Sequence, residues 1–324
     1  METTEIKKTE IVKARSVWEC MSDGLSASFE YMGASLRGLW PLLIVFSLVA
    51  PALLIWWTKL FFGQLFDGTL AALTTTPTVG ICLRALAPMG LLLLLGLMDA
   101  VMHGGIIWRQ RQLTEMGFIP NTPAWREWRG IGRMTWRMIV FALLLIVLSV
   151  VIAVINVGMT MGLAAVIRHW GLSPVWAVGL TIVNFLLYMV IVFYMLVVLL
   201  HMVLPYVYDD TSLLKSITSA KWGIRPVSGT FCVVFAAGVS SILFALIFVL
   251  PTGVIQIVDL LAMKATVMGD AASLPTSMPV WRYIAMALMF LGSFVCNVVF
   301  LYPILYRWGA MKSEEAKPAT AEIN

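Results

Sequence analysis

Charge is scarce in this chain. Only 12% of the residues are Asp, Glu, Lys or Arg, where a soluble domain carries about 25%. An ordinary water-facing surface is therefore excluded. Cysteine and histidine are few, four and three residues. Cys20, Cys82, Cys232 and Cys296 show no paired spacing, so neither a disulfide framework nor a zinc site is read, and no metal or cofactor is expected. No G-x-x-x-x-G-K-[ST], H-E-x-x-H or G-x-S-x-G occurs, and no nucleophile, base and electrophile can be grouped. A non-enzymatic protein is expected. Segments of about ten residues with alternating polarity are also missing, which argues against a membrane β-barrel.

What is present is apolar. Hydrophobic residues make up 60% of the chain and the mean hydropathy is +0.92. Runs such as Leu91–Leu95 and Ala142–Leu148 are unbroken. A helix needs about 20 apolar residues to cross a bilayer. Six stretches qualify, at about 39–62, 86–108, 138–166, 175–206, 230–258 and 283–306. The fold class is all-α, a six-span membrane bundle occupying 16–308. The polar ends, 1–15 and 309–324, are expected to be disordered.

The basic residues orient the spans. Seventeen of the 22 Lys and Arg fall in the N-terminal segment, the second and fourth gaps and the C-terminal tail. Lys59, Arg84, Arg168, Lys264 and Arg282 are left for the other side. The positive-inside rule then places both termini in the cytoplasm. The polar first 15 residues are unlike a cleavable signal peptide, and span 1 is expected to act as an uncleaved anchor. The basic residues follow membrane edges and form no compact patch, so nucleic acid is not an expected partner.

Three segments on the basic side look like interfacial helices. In 16–36, Trp18, Met21, Leu25, Phe29, Met32 and Leu36 recur every three or four residues, one apolar stripe for a helix lying in the interface. In 123–137, Trp125, Trp128 and Trp136 interleave with Arg126, Arg129, Arg133 and Arg137. Trp prefers the headgroup level, and Arg there pairs with anionic phosphates. In 211–228, Leu213, Leu214, Ile217, Trp222 and Ile224 accompany Lys215, Lys221 and Arg225, with Thr211 or Ser212 as the helix cap. Each segment precedes an outward-going span, which suggests a threefold hairpin repeat. Leu204-Pro205-Tyr206-Val207-Tyr208 and Tyr302-Pro303-Ile304-Leu305-Tyr306 close two of the hairpins alike. The candidate interface for anionic lipid headgroups, a membrane-protein partner or a second copy is Trp125, Arg126, Trp128, Arg129, Arg133, Trp136, Lys221, Trp222 and Arg225.

Leu214, Ser216, Ser219, Lys221 and Trp222, directly before span 5, resemble the Leu-x-x-Ser-x-x-x-x-x-Lys-Gly-Asn helix of uncharacterised six-span bacterial membrane proteins. The membrane domain fused to some glycerophosphodiester phosphodiesterases is among these. Trp222-Gly223 stands here where that pattern has Gly-Asn. The resemblance implies architecture, bacterial origin and proximity to lipid. It implies no catalytic residue, since no stretch outside the spans is long enough for the phosphodiesterase domain.

Polar residues within the spans are the remaining candidates. Asp99 and His103 are four apart, hence on one helix face, with Asp99 near mid-membrane. They read either as a proton relay or cation site, or as a pair that locks helices together. Gly104-Gly105 leaves room beside them for a neighbouring helix or a ligand. Asn297 joins them as a candidate. Asn156, Asn184 and Gln256 suit interhelical hydrogen bonds, and Gly158 and Gly162 form a G-x-x-x-G. His201 near Pro205 is expected to reach water, and Asp259 to be solvated.

Overall fold

A computed structural model describes residues 11–66, 79–171, 174–209, 211–219, 224–267 and 277–316. Its described residues form seven helices and one 3-10 turn. The helices are α1 (Val17–Phe66), α2 (Val79–Met116), α3 (Trp128–Trp170), α4 (Pro174–Tyr208), α5 (Leu213–Ser219), α6 (Ile224–Val267) and α7 (Met278–Ala316). All except α5 are long and apolar enough to cross a membrane. The six-span all-α architecture therefore stands.

The interfacial helices are a correction. Residues 17–36 are the first turns of α1, a single helix of 50 residues, about 75 Å at 1.5 Å per residue. That is more than twice the bilayer's hydrocarbon thickness of about 30 Å. The buried face of this segment is Cys20, Met21, Gly24, Ala27, Ser28, Tyr31, Ser35 and Leu39, while Trp18 and Phe29 of the anticipated stripe are exposed. Small residues win the face because they let α7 come close. A Cβ on Gly24 would lie 2.5 Å from Cα of Pro303. Tyr31 and Tyr302 stack at 6.3 Å, and Cys20 Sγ approaches the Tyr306 carbonyl at 3.8 Å. With the buried face unbroken at steps of three and four, nothing ends the helix before span 1. Ser16 and Glu19 close its start as a capping box: Ser16 N–H donates to Glu19 Oε2 at 2.7 Å and Glu19 N–H to Ser16 Oγ at 3.2 Å.

Likewise 128–137 is the first part of α3, preceded by the 3-10 turn Ala124–Arg126. In the third segment the short α5 is a separate element, and Ser212 caps it by accepting from Lys215 N–H at 3.3 Å. The described parts of the two ends, 11–15 and 309–316, also pack against the bundle. Ile11 is fully buried, and α7 continues past 308 to Ala316 with Gly309 and Ala310 buried. The backbone carbonyl of Ile11 lies against Gly309, where a Cβ would meet it at 2.1 Å. Arg15 holds this contact by donating to the Ile11 carbonyl at 2.8 Å and to Asp23 Oδ2 at 2.9 Å, with its guanidinium over the Tyr306 ring.

Pro41, Pro51, Pro88, Pro205, Pro251 and Pro303 all lie inside helices. Pro88 and Pro251 therefore end neither α2 nor α6. Interior prolines are tolerated in spans because neighbours and Ser or Thr side chains satisfy the freed backbone groups. Packing concentrates at the end of the bundle that carries both termini. There the buried residues run along 20–50 of α1, 102–114 of α2, 131–141 of α3, 197–208 of α4, 227–237 of α6 and 294–310 of α7.

Candidate functional site

Asp99 and His103 meet as their spacing demands. His103 Nδ1 lies 2.9 Å from the Asp99 carbonyl and 3.2 Å from Asp99 Oδ2. Both are acceptors, so Nδ1 carries the ring proton. Asn297 of α7 lies close enough to interact with the His103 side chain. The three intramembrane candidates are thus one constellation built from α2 and α7. Its surroundings are asymmetric. The Asp99 side chain is 52% exposed and that of His103 21%. On α2, Leu92, Leu93, Leu94 and Leu97 beyond Asp99 are exposed, whereas Met102 and Gly104–Ile107 are buried. The carboxylate therefore stands where close packing stops. Gly104 and Gly105 admit neighbouring helices: Cβ atoms there would lie 2.6 Å from Thr135 Oγ1 of α3 and 2.9 Å from Leu39 of α1. Below His103 is an apolar cavity of about 180 Å³, lined by Ile107, Phe141, Leu204, Tyr208 and Phe300 among others. Such a constellation can pass a proton between carboxylate and imidazole.

The Trp/Arg row is the second candidate. Trp125, Trp128 and Trp136 are 60%, 54% and 64% exposed, and Arg126, Arg129 and Arg133 are exposed beside them. Trp40 of α1 meets Trp125 edge to face at 6.5 Å. Arg137 leaves the row. It donates to the carbonyls of Tyr206 and Asp209 at the end of α4 and sits 4.9 Å from the Tyr206 ring centre. Lys221 and Trp222 lie outside the described residues, and so does the side chain of Arg225.

Beneath the row lies a polar cluster that the sequence reading missed. Arg109 is completely buried. It donates to both carboxylate oxygens of Glu127 at 3.1 and 3.2 Å, to Gln112 Oε1 at 2.9 Å and to the carbonyls of Pro120 and Thr122. Glu127 also accepts from Trp108 Nε1 and Gln112 Nε2, each at 2.6 Å. The cluster clamps the connection between α2 and α3, and so fixes where the Trp/Arg row begins. One signal for it was legible: Glu127 is the single acidic residue between 116 and 137.

The chain matches no family model, no curated protein and no solved structure.

Several smaller expectations now have positions. His201 does not reach water; it is 2% exposed and its Nδ1 lies 2.9 Å from Thr230 Oγ1, to which Arg307 Nε also donates. Thr230 on α6 is a better partner than water because α4, α6 and α7 close over the ring. Asn184 Nδ2 donates to Thr160 Oγ1 at 3.2 Å and joins α3 to α4. Beyond their own helix, no described residue lies within 4 Å of a Cβ on Gly158 or Gly162, so among the described residues the G-x-x-x-G meets no other helix. Asp259 is not simply solvated: it pairs with Arg282 of α7. Among the described residues, no three His, Cys, Asp or Glu side chains gather as a metal site, and Cys20, Cys232 and Cys296 are free.

Proposed function

We propose that this chain is a non-enzymatic integral membrane protein that organises anionic lipid at the cytoplasmic face of a bacterial inner membrane. It does so through Trp125, Arg126, Trp128, Arg129, Arg133 and Trp136. One observation carries the reading: all six side chains are exposed along one short stretch whose base is clamped by the buried Arg109–Glu127 pair. Indole rings settle at the headgroup level. Each basic residue near an anionic surface contributes about 1 kcal/mol, so three arginines contribute about 3 kcal/mol. The rigid base spares the protein the cost of ordering these side chains at each encounter.

Adding phosphatidylglycerol to the detergent-solubilised protein tests this. A ligand bound by the folded state alone raises its melting temperature. The wild-type protein melts higher with the anionic lipid. Arg126→Gln, Arg129→Gln and Arg133→Gln together remove most of that rise. An equal rise in both proteins contradicts the reading. A protein partner or a second copy seated on the same row would show as added mass in native mass spectrometry.

A second reading, transport of a proton or a small solute, is favoured by the assembly of Asp99, His103 and Asn297 around a half-exposed carboxylate. Asp99→Asn then abolishes uptake in vesicles without lowering the amount of protein in the membrane. Loss of the protein itself would make the trio a structural lock.

A further inference from the structure

The end of the bundle opposite the termini holds a pocket of about 240 Å³ between α1, α6 and α7, with polar groups from all three set in an apolar lining. Thr58 and Lys59 come from α1, Thr252, Gln256 and Asp259 from α6, and Arg282 from α7. These are the final turns of the α1 and α6 spans and the first turn of the α7 span, so the pocket lies at the level of lipid headgroups. Trp56 and Trp281, 58% and 57% exposed nearby, mark the same level. Its polar groups are incompletely matched. Arg282 is engaged by Asp259 Oδ2. Asp259 Oδ1 and Thr252 Oγ1 are closed off from solvent and have no hydrogen-bond partner among the described residues, and Thr252 as a whole is only 5% exposed. Lys59 has no ion-pair partner among the described residues either. An unmet buried polar atom costs about 1–3 kcal/mol, which a suitable ligand recovers.

The unmet groups define that ligand. Asp259 Oδ1 requires a donor, which an anion alone does not supply. Lys59 and the Thr252 hydroxyl offer donors to an anion. We propose that this pocket binds a small zwitterion, a primary ammonium set a few bonds from a phosphate or carboxylate. Rotation of the Asp259 and Thr252 side chains turns their unmet oxygens into the pocket, where the ammonium donates to Asp259 Oδ1 and the anion is held by Lys59 and Thr252. A phosphoethanolamine lipid headgroup and a free amino acid share this chemistry. The pocket is smaller than the range of about 300–1,000 Å³ for drug-sized ligands, which suits either. The inference is independent of the lipid interface at the termini end.

Native mass spectrometry of the full chain tests it with three lipids offered in equal amounts. Phosphatidylethanolamine has N–H donors, phosphatidylcholine has none, and phosphatidylglycerol has no cation. Separate arms offer free phosphoethanolamine and glycine, first alone and then as competitors. The expected result is retention of phosphatidylethanolamine about tenfold above both other lipids, or binding of a free zwitterion in its place. Lys59→Gln and Thr252→Val reduce either signal to background. Neither change touches the Arg282–Asp259 pair, so both variants keep the fold. Displacement of the lipid by the free compounds assigns a soluble ligand; resistance assigns a headgroup. Equal retention of the three lipids with no binding of the free compounds overturns the proposal, as does a preference that both variants keep.

Discussion

Along α2 the side chains from Met102 to Leu113 are almost all buried, whereas Leu92, Leu93, Leu94 and Leu97, one to three turns further out, are open to the surroundings. The same division runs through the molecule. Near the termini, α4 buries Val197, Leu199, Val203 and Leu204; at the far end Ile182, Val183, Phe185 and Leu186 are exposed. Hydropathy runs against burial. The most apolar window, in α3, has mean hydropathy 3.4 and is 6% buried, while that of α1 has 2.3 and is 44% buried. In water this ordering would be perverse. In lipid it follows, because an apolar face is at ease without a protein partner. Close packing there is specified by small residues and by polar groups that need one another. The termini end has both, in Gly24, Gly38, Gly104 and Gly105, and in Arg109, Glu127, His201, Thr230 and Arg307.

The sharpest way to break this contrast is to unbalance the buried ion pair. Glu127→Ala leaves the Arg109 charge uncompensated, at a cost of about 3–5 kcal/mol. Thermal unfolding followed by tryptophan emission should show loss of the cooperative transition. Arg109→Met combined with Glu127→Leu should restore much of it, since no lone charge is left buried. If the single variant melts like the parent, the clamp does not hold the termini end together.

A matched pair of truncations sharpens the contrast. Leu204 is 2% exposed, and Leu204→Ala should cost about 2–5 kcal/mol. Val154 of α3 is 67% exposed, and Val154→Ala should change stability by no more than about 0.5 kcal/mol. Comparable losses at the two sites would mean that the far half is as tightly packed as the near half. Gly38→Ala tests the use of small residues, because its Cβ would lie 2.2 Å from Nη2 of Arg109. Overpacking of that kind costs about 1–3 kcal/mol. The smallest effect belongs to the boundary itself. Asp99→Asn should shift stability by about 1 kcal/mol or less, since Asn keeps an oxygen that can accept from His103 and single polar contacts within spans are worth about that much. A larger loss would move Asp99 into the packed half.

The six spans were legible because long apolar runs have no other home. Asp99 and His103 were legible because four residues on a helix make one face. The fate of 17–36 was not. A stripe of Trp18, Leu25 and Phe29 describes an interfacial helix well when no partner is in view, and only Pro303 and Tyr302, far along the chain, show that α1 turns its small residues inward. Glu127 reaches Arg109 across a loop, and Asp259, Arg282 and Lys59 belong to three helices. Such contacts have no local period and therefore no sequence signature. Trp125, Trp128 and Trp136, by contrast, stand out locally through their interleaving with arginine, and all three are exposed.

The most direct test of the lipid-organising account is a census of the lipids that stay with the protein. Wild-type protein and the variant carrying Arg126→Gln, Arg129→Gln and Arg133→Gln would each be extracted into nanodiscs straight from the membrane and weighed intact. The account predicts that anionic lipids are enriched around the wild type over the bulk membrane, and that the variant returns to bulk composition while melting like the wild type in lipid-free detergent. Equal enrichment around both proteins would contradict it.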